Sequence, residues 1–375
     1  MSLKSDLAMV SELGFNPYYS TNHTDMTDMA SNDYLGLRKH PHAIAEAKKT
    51  MDFYGLSMCG TPIACGYSEL FSQTEKRLSE FAGVESSIIF PSCYQANNGI
   101  FTLLCGENDL IVFDKSCHSS LLQGIFAVSS KCKRTPFLHN DTAHLEKILS
   151  RMRGDYEQCF VVTESVFSTE GAIAPLDEIV QLCKKYNAVP VVDDSHGIGV
   201  IGSGGKGVLE HFGLNKSDGF DGIYTASLGK ALANSGGMVG GKAEVMEKLR
   251  YYCPHLIYST AITPPTLGGV NGILDVYERE FTELSATLWR YKQKLSQSHA
   301  DFLPAAAPIC ALLCREKEKT VLTAKKLYEN GITSTPFIEP SVPRNQGVVR
   351  LIANAGLTEE QVEKACRILE HLESL

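Results

Sequence analysis

An α/β fold with a mainly parallel central sheet, followed by a smaller C-terminal α+β domain, is predicted by three features of the chain. Between about residues 85 and 240, short apolar runs alternate with helix-period segments. Those runs are continuous, rich in β-branched residues and closed by turn residues, as strands buried on both faces require. Beyond about residue 265 the alternation gives way to one long helical stretch and then to shorter-range elements.

The strands read in order as SIIF (87–90), LIVFD (110–114), CFVVTESV (159–166), AVPVVDDSH (188–196) and DGIYTAS (221–227). Helices fill the gaps. In 176–186, Leu176, Ile179, Val180 and Cys183 recur at helical spacing behind Pro175, which suits a first turn. The long helix spans about 265–298, a PICALLC strand covers 308–314, and a further helix lies near 320–329. The last helix opens on Thr358-Glu-Glu-Gln361, a capping box, with Val362, Ala365, Leu369 and Leu372 on one face. The organisation expected is an N-terminal arm and approach over 1–50, a large domain over 51–275 and a small domain over 276–375. A chain of 375 residues exceeds one compact core, which supports the division.

Composition narrows the function. With 43% hydrophobic and 21% charged residues, the chain is ordinary for a globular enzyme. A formal charge of -8 argues against phosphate-backbone contact with nucleic acid, which needs a basic face. No apolar run has the length of a membrane span and the N-terminus has no signal-peptide core, so no stable membrane insertion is expected. The 12 cysteines are scattered without a CxxC pair, so a disulfide framework or zinc site is not expected and a cytoplasmic location is.

In open α/β sheets ligands bind beyond the carboxyl ends of the strands. Polar residues gather there: Cys93 and Tyr94, Asp114 to His118, Glu164 to Ser168, Asp193 to His196, and Ser227 to Lys230. Two motif matches nearby are decoys. GIGVIG (197–202) fits GxGxxG, but more glycines follow where a helix should open, so a mobile glycine-rich turn is the better reading. SLGK (227–230) fits SxxK, yet its companions SDN and KTG are absent. Asp193 and His196 at the end of a buried strand suit a structural polar pair, a partial metal set without further ligands, or a grip on an aromatic heterocycle. Pyridoxal phosphate needs such a set: a carboxylate for the pyridine nitrogen, a stacking ring, phosphate donors and a partly desolvated lysine. Lys230 lies among small residues that leave room for a ring.

Several ordered segments match one family. They are SNDYLGLRKHP (31–41), FLHND (137–141), VVTESVFSTEGAIAPLDEI (161–179), VVDDSHGIGVIGSGGKG (191–207), ASLGKAL (226–232), HLIYST (255–260) and the stretch SVPRNQGVVRLIANAGLTEEQ near the end. On these the chain resembles the α-oxoamine synthases, fold-type I pyridoxal-phosphate-dependent transferases, and is most similar to their 8-amino-7-oxononanoate synthase branch. Pro62 and Phe71 depart from it, standing at or near positions where many members carry an arginine and a histidine.

The resemblance implies pyridoxal 5'-phosphate as cofactor and no metal. It also implies a homodimer with its site at the interface, and an amino acid and an acyl-CoA or acyl-carrier thioester as substrates. Lys230 is then the Schiff-base lysine and α-proton carrier, Asp193 the partner of the pyridine nitrogen, His196 of the phenolic oxygen, and His118 the stacking ring. Cys93 and Tyr94 offer backbone N–H groups to the phosphate, joined by Ser227 and, across the dimer, Thr260. Glu164 and Ser168 line the pocket, while Asn32 and Arg350 bind the amino-acid carboxylate. The expected reaction is a decarboxylating condensation, with alanine and a pimeloyl thioester as the leading pair. Other α-oxoamine synthases, using glycine and acetyl-CoA, serine and palmitoyl-CoA, or a signal precursor, are the near alternatives. An aminotransferase of the same fold is the more distant one.

Overall fold

The computed structural model describes residues 3–16, 26–215 and 219–372, so residues 17–25 of the expected N-terminal arm lie outside the described residues. The chain divides into two units, a larger one of Leu37–Phe167 and Ile173–Thr282 and a smaller one of Met1–Gly36, Ser168–Ala172 and Glu283–Leu375.

Seven strands build the sheet of the larger unit: β1 (Ser86–Phe90), β2 (Leu110–Asp114), β3 (Lys133–Phe137), β4 (Cys159–Glu164), β5 (Val189–Asp193), β6 (Ile223–Ser227) and β7 (Gly237–Gly241). Their spatial order is β1-β7-β6-β5-β4-β2-β3. Strands β2 to β6 pair in parallel, whereas β7 runs antiparallel to both β1 and β6. The five strands expected from the apolar runs are all present. Two more were not expected, for physical reasons. Strand β7 is GMVGG, with too few side chains to show a β pattern, and β3 is KRTPF, an edge strand whose proline is tolerated because only β2 pairs with it.

Helices α1 (Cys93–Leu104), α2 (Ser119–Ala127) and α3 (Leu176–Lys185) belong to this unit. Ile100, Phe101, Leu121 and Ile125 from α1 and α2 join Ile88, Phe90, Phe113, Val162 and Val191 of the strands in one buried core. Phe71 is also fully buried, with its ring 6.0 Å from that of Tyr67, so at this position the departure from the family serves packing.

In the smaller unit, β8 (Ile309–Arg315), β9 (Thr335–Phe337) and β10 (Gly347–Ile352) form an antiparallel sheet in the order β9-β10-β8. Helix α4 (Pro264–Gln297) carries the chain into this unit, and α5 (Lys317–Glu329) and α6 (Glu359–Glu370) follow. The capping box at α6 is formed, with Thr358 and Gln361 bonded reciprocally, and Val362, Ala365 and Leu369 are buried. The division differs from the expected boundaries after residues 50 and 275. Thr27–Asp28 pairs in parallel with Ile332–Thr333, and this non-local pairing ties the N-terminal residues to the C-terminal ones.

Candidate active site

Parallel strands bring their carboxyl ends to one edge, and the register of the sheet fixes which side chains meet there. Glu164, the last residue of β4, is level with Asp193, the last of β5, and Asp193 is level with Thr225 on β6. A cleft of about 400 Å³ opens at this edge, within the larger unit. Eight of the residues singled out from the sequence line it: Cys93 and Tyr94 after β1, His118 after β2, Glu164 on β4, Asp193 and His196 at the end of β5, and Ser227 and Lys230 at the end of β6.

Asp193 is buried, and its two oxygens are held separately. Oδ1 accepts the N–H of Ser195 at 2.9 Å, and Oδ2 accepts Nδ2 of Asn97 at 2.7 Å. The backbone N–H of His118 donates to Glu164 at 2.6 Å, which pins the loop that carries the imidazole. Helix α1 points its N-terminus into the cleft. Ser92 caps it by accepting the N–H of Gln95, and the N–H groups of Cys93 and Tyr94 in the first turn have no intrahelical acceptor. Such a terminus favours an anion. Ser227 Oγ accepts the N–H of Gly229 at 3.1 Å, leaving its own proton for a ligand. A Cβ at Gly237 would lie 2.4 Å from the Cys93 backbone, so only glycine lets β7 pass beneath this helix end. Burial, reinforced by Asp193, pushes the Cys93 thiol up, which disfavours a thiolate here.

This donor set fits pyridoxal phosphate. A fixed buried carboxylate suits a pyridinium nitrogen, open N–H groups at a helix N-terminus suit a phosphate, and an amine stands on the same cleft at Lys230.

The remaining candidates lie elsewhere. Thr260 is exposed and is not among the residues lining this cleft. Arg350, Ser168 and Asn32 belong to the smaller unit. There Arg350 on β10 is buried, donates to the carbonyl of Ser168 at 2.8 Å and stacks its guanidinium 4.9 Å from the Phe337 ring centroid. Its Nε is buried without an acceptor, and Oδ1 of Asn32 is buried without a donor. Among the described residues no carboxylate pairs with Arg350, and burial lowers its pKa from the usual value. A buried guanidinium held this way is a socket for an anion.

Sequence reading missed Asn97 and Ser120, and it gave Ser195, inside the 193–196 strand end, no role. Ser120 and Ser195 line the cleft, and Asn97 lies buried behind Asp193. The available signal for Asn97 was its position four residues after Cys93, a polar side chain on an apolar helix face. GIGVIG opens no helix. It forms a largely buried, hydrogen-bonded turn: Gly199 N–H bonds Gly205 at 2.7 Å, Gly207 N–H bonds Ile201 at 3.0 Å, and Asp194 accepts the N–H of Val208 at 2.9 Å.

Comparison with known proteins agrees with this geometry. The profile of a family described as aminotransferase class I and II matches residues 24–369. The 8-amino-7-oxononanoate synthase of Treponema denticola is 33% identical over 353 residues, covering 93% of this chain and 88% of its own. The serine palmitoyltransferase of Sphingobacterium spiritivorum is 32% identical over 374 residues, covering 96% and 92%. Among solved structures, the Sphingomonas wittichii serine palmitoyltransferase superposes with a TM-score of 0.92 at 25% identity, covering 99% of this chain and 96% of that one. The chain belongs to the aminotransferase class I and II family and, within it, to the α-oxoamine synthases.

Proposed function

We propose that this chain is a pyridoxal-phosphate-dependent C-acyltransferase that condenses an amino acid with an acyl thioester, losing CO2. The observation that carries the reading is the convergence of Lys230, Asp193 and the open N-terminus of α1 on one cleft. The leading specific reaction is 8-amino-7-oxononanoate synthesis from alanine and a pimeloyl thioester, carried by CoA or a carrier protein, which serves biotin formation. Relatives bearing that synthase name at 32–33% identity support it. The similarly close serine palmitoyltransferase supports the same chemistry with another substrate pair.

When bound, pyridoxal phosphate supplies an aldehyde carbon and an electron-withdrawing pyridine ring. The chain's own groups do the rest. Asp193 holds the proton on the ring nitrogen, because its carboxylate is fixed by two donors and cannot turn away. His118 provides a flat face against the ring, and His196 a donor to its phenolic oxygen. Cys93 and Tyr94 N–H groups with the Ser227 hydroxyl bind the phosphate. Glu164 lines the cleft that would take the cofactor, and Ser168 is the further pocket residue that the family resemblance assigns. Arg350 and Asn32 take the amino-acid carboxylate, answering their unmet buried atoms. Lys230 moves the proton off the amino-acid Cα and later returns one. Between those transfers Cα joins the acyl carbonyl carbon, the thiol leaves, and the carboxylate departs as CO2.

A homodimer is part of the proposal. Phe53, Leu56, Ile63, Tyr251, Tyr252 and Tyr258 expose large apolar side chains in the larger unit, Tyr258 at 82% and Phe53 at 80%. The segments that carry several of them are tied together: Ala261 N–H bonds Gly60 at 2.9 Å, and Arg250 lies 4.7 Å from the Tyr67 ring centroid. Large apolar side chains exposed on linked segments suit an interface between copies, and in this reading Thr260 reaches a neighbouring copy's phosphate. Sedimentation of the native protein tests the dimer, and Ile63→Glu with Tyr258→Glu should yield an inactive monomer. Cytoplasmic residence is proposed from the 12 free cysteines and the CoA thioester substrate. No described helix is long and apolar enough to cross a membrane.

Thiol release measured across a grid of amino acids and acyl-CoAs tests the function. Turnover with alanine and pimeloyl-CoA is expected. Activity confined to serine and palmitoyl-CoA, or to glycine and acetyl-CoA, replaces the leading pair. Conversion of the cofactor to its amine form by an amino acid alone, with no thioester consumed, makes the chain an aminotransferase.

A further inference from the structure

Four hydrogen bonds connect Asp193 to His118 through residues with no role so far. Asn97 is fully buried on α1. Its Oδ1 accepts the hydroxyl of Thr225 at 2.8 Å, and its Nδ2 donates both to Asp193 Oδ2 at 2.7 Å and to Ser120 Oγ at 2.9 Å. A carboxylate is acceptor-only, so the amide must turn its nitrogen toward Asp193, which fixes the remaining roles. Ser120 Oγ accepts from Asn97 and keeps its own proton to donate to His118 Nδ1, 2.8 Å away. The backbone N–H of Ser120 also donates to Nδ1, at 3.2 Å. With both groups donating, Nδ1 carries no proton and the ring proton belongs on Nε2.

We infer that Asn97 is a positioning residue that sets the Asp193 carboxylate and, through Ser120, the tautomer and plane of the His118 ring. The carboxylate that meets the pyridine edge and the imidazole that meets its face are thereby held by one amide. Thr225 completes the lock, since its hydroxyl stops the amide from flipping. Lys230 needs the cofactor ring in one place, and this network holds that place before the cofactor arrives. The inference rests on the functional reading above for its purpose, but not for its geometry.

Two readouts test it. The first is the equilibrium dissociation of pyridoxal phosphate from the holoenzyme in wild type, Asn97→Asp, Asn97→Ala and Ser120→Ala. Asn97→Asp places a second carboxylate against Asp193, so cofactor affinity should fall at least about tenfold, with Asn97→Ala between it and wild type. The second is imidazole nitrogen NMR of isotope-labelled histidine, with the His118 signals assigned by their loss in His118→Gln. Wild type should show an unprotonated Nδ1, and Ser120→Ala should shift His118 toward a mixture of tautomers. Ser120→Ala removes a single oxygen and carries the test where an Asn97 variant does not fold. Wild-type cofactor affinity in a folded Asn97→Asp variant, or an unchanged His118 spectrum in Ser120→Ala, overturns the inference. A wild type that takes up no pyridoxal phosphate overturns the functional reading instead, and the His118 spectrum then decides the lock by itself.

Discussion

The hydroxyl of Tyr277 lies 3.1 Å from the carbonyl of Ala231, the residue after Lys230, and 3.1 Å from the carbonyl of Gly199. One buried phenol on α4 thus ties the lysine loop to the glycine turn that follows Asp193. Tyr277→Phe keeps the ring and removes the one proton that the two carbonyls share, at a cost of about 1–3 kcal/mol. Hydrogen exchange across residues 229–234 should accelerate in this variant. Unchanged protection there contradicts the tie.

Gly237 tests the phosphate cradle. The Cβ of Gly237→Ala meets backbone atoms of Cys93 at 2.4 Å, so the first turn of α1 must move. The variant should bind pyridoxal phosphate at least about tenfold more weakly while its affinity for pyridoxal, which has no phosphate, changes little; the loss corresponds to one or two charge-assisted hydrogen bonds. Equal losses for both compounds would show that the phosphate is not held at this helix end.

Arg350→Met addresses substrate recognition and stability together. It should raise the amino-acid KM about tenfold or more, since hydrogen bonds to charged groups contribute about 1.5–3 kcal/mol each. The same change removes a buried, unpaired charge and should raise the unfolding midpoint. An unaltered KM contradicts the carboxylate role.

Asp194 gives a pH signature. Its carboxyl is fully buried, accepts Tyr224 Oη at 2.7 Å and Val208 N–H at 2.9 Å, and burial raises its pKa to about 7. The native state keeps a proton that the unfolded chain has released above its ordinary carboxylate value. The stabilisation is therefore complete below about pH 4, falls as pH rises toward 7 and is gone above that. Asn cannot titrate, so the stability of Asp194→Asn relative to wild type should increase across this window in urea unfolding. A flat difference contradicts the assignment.

Much of this site was legible because the parallel-sheet rule converts strand ends into addresses. Glu164, Asp193, Ser227 and Lys230 sit at or just beyond the ends of β4, β5 and β6, all of which announce themselves by β-branched runs. Strand β7 did not, because its glycines serve close approaches: Cβ atoms would strike Cys93 from Gly237 and Val84 from Gly240. Asn97 was hidden inside a helix whose other inward residues are apolar, and its partners are 23, 96 and 128 positions away. The joining of Thr27 to Ile332 was equally silent, since no local pattern records so distant a pairing.

The central claim is a condensation that consumes an amino acid and a thioester together. Supplying carboxyl-labelled alanine with pimeloyl-CoA and following labelled CO2 and free CoA in one reaction tests it most directly. Equal amounts of both are expected, each dependent on the presence of the other substrate, and neither in Lys230→Ala. CoA release without CO2, or CO2 release from the amino acid alone, would contradict it.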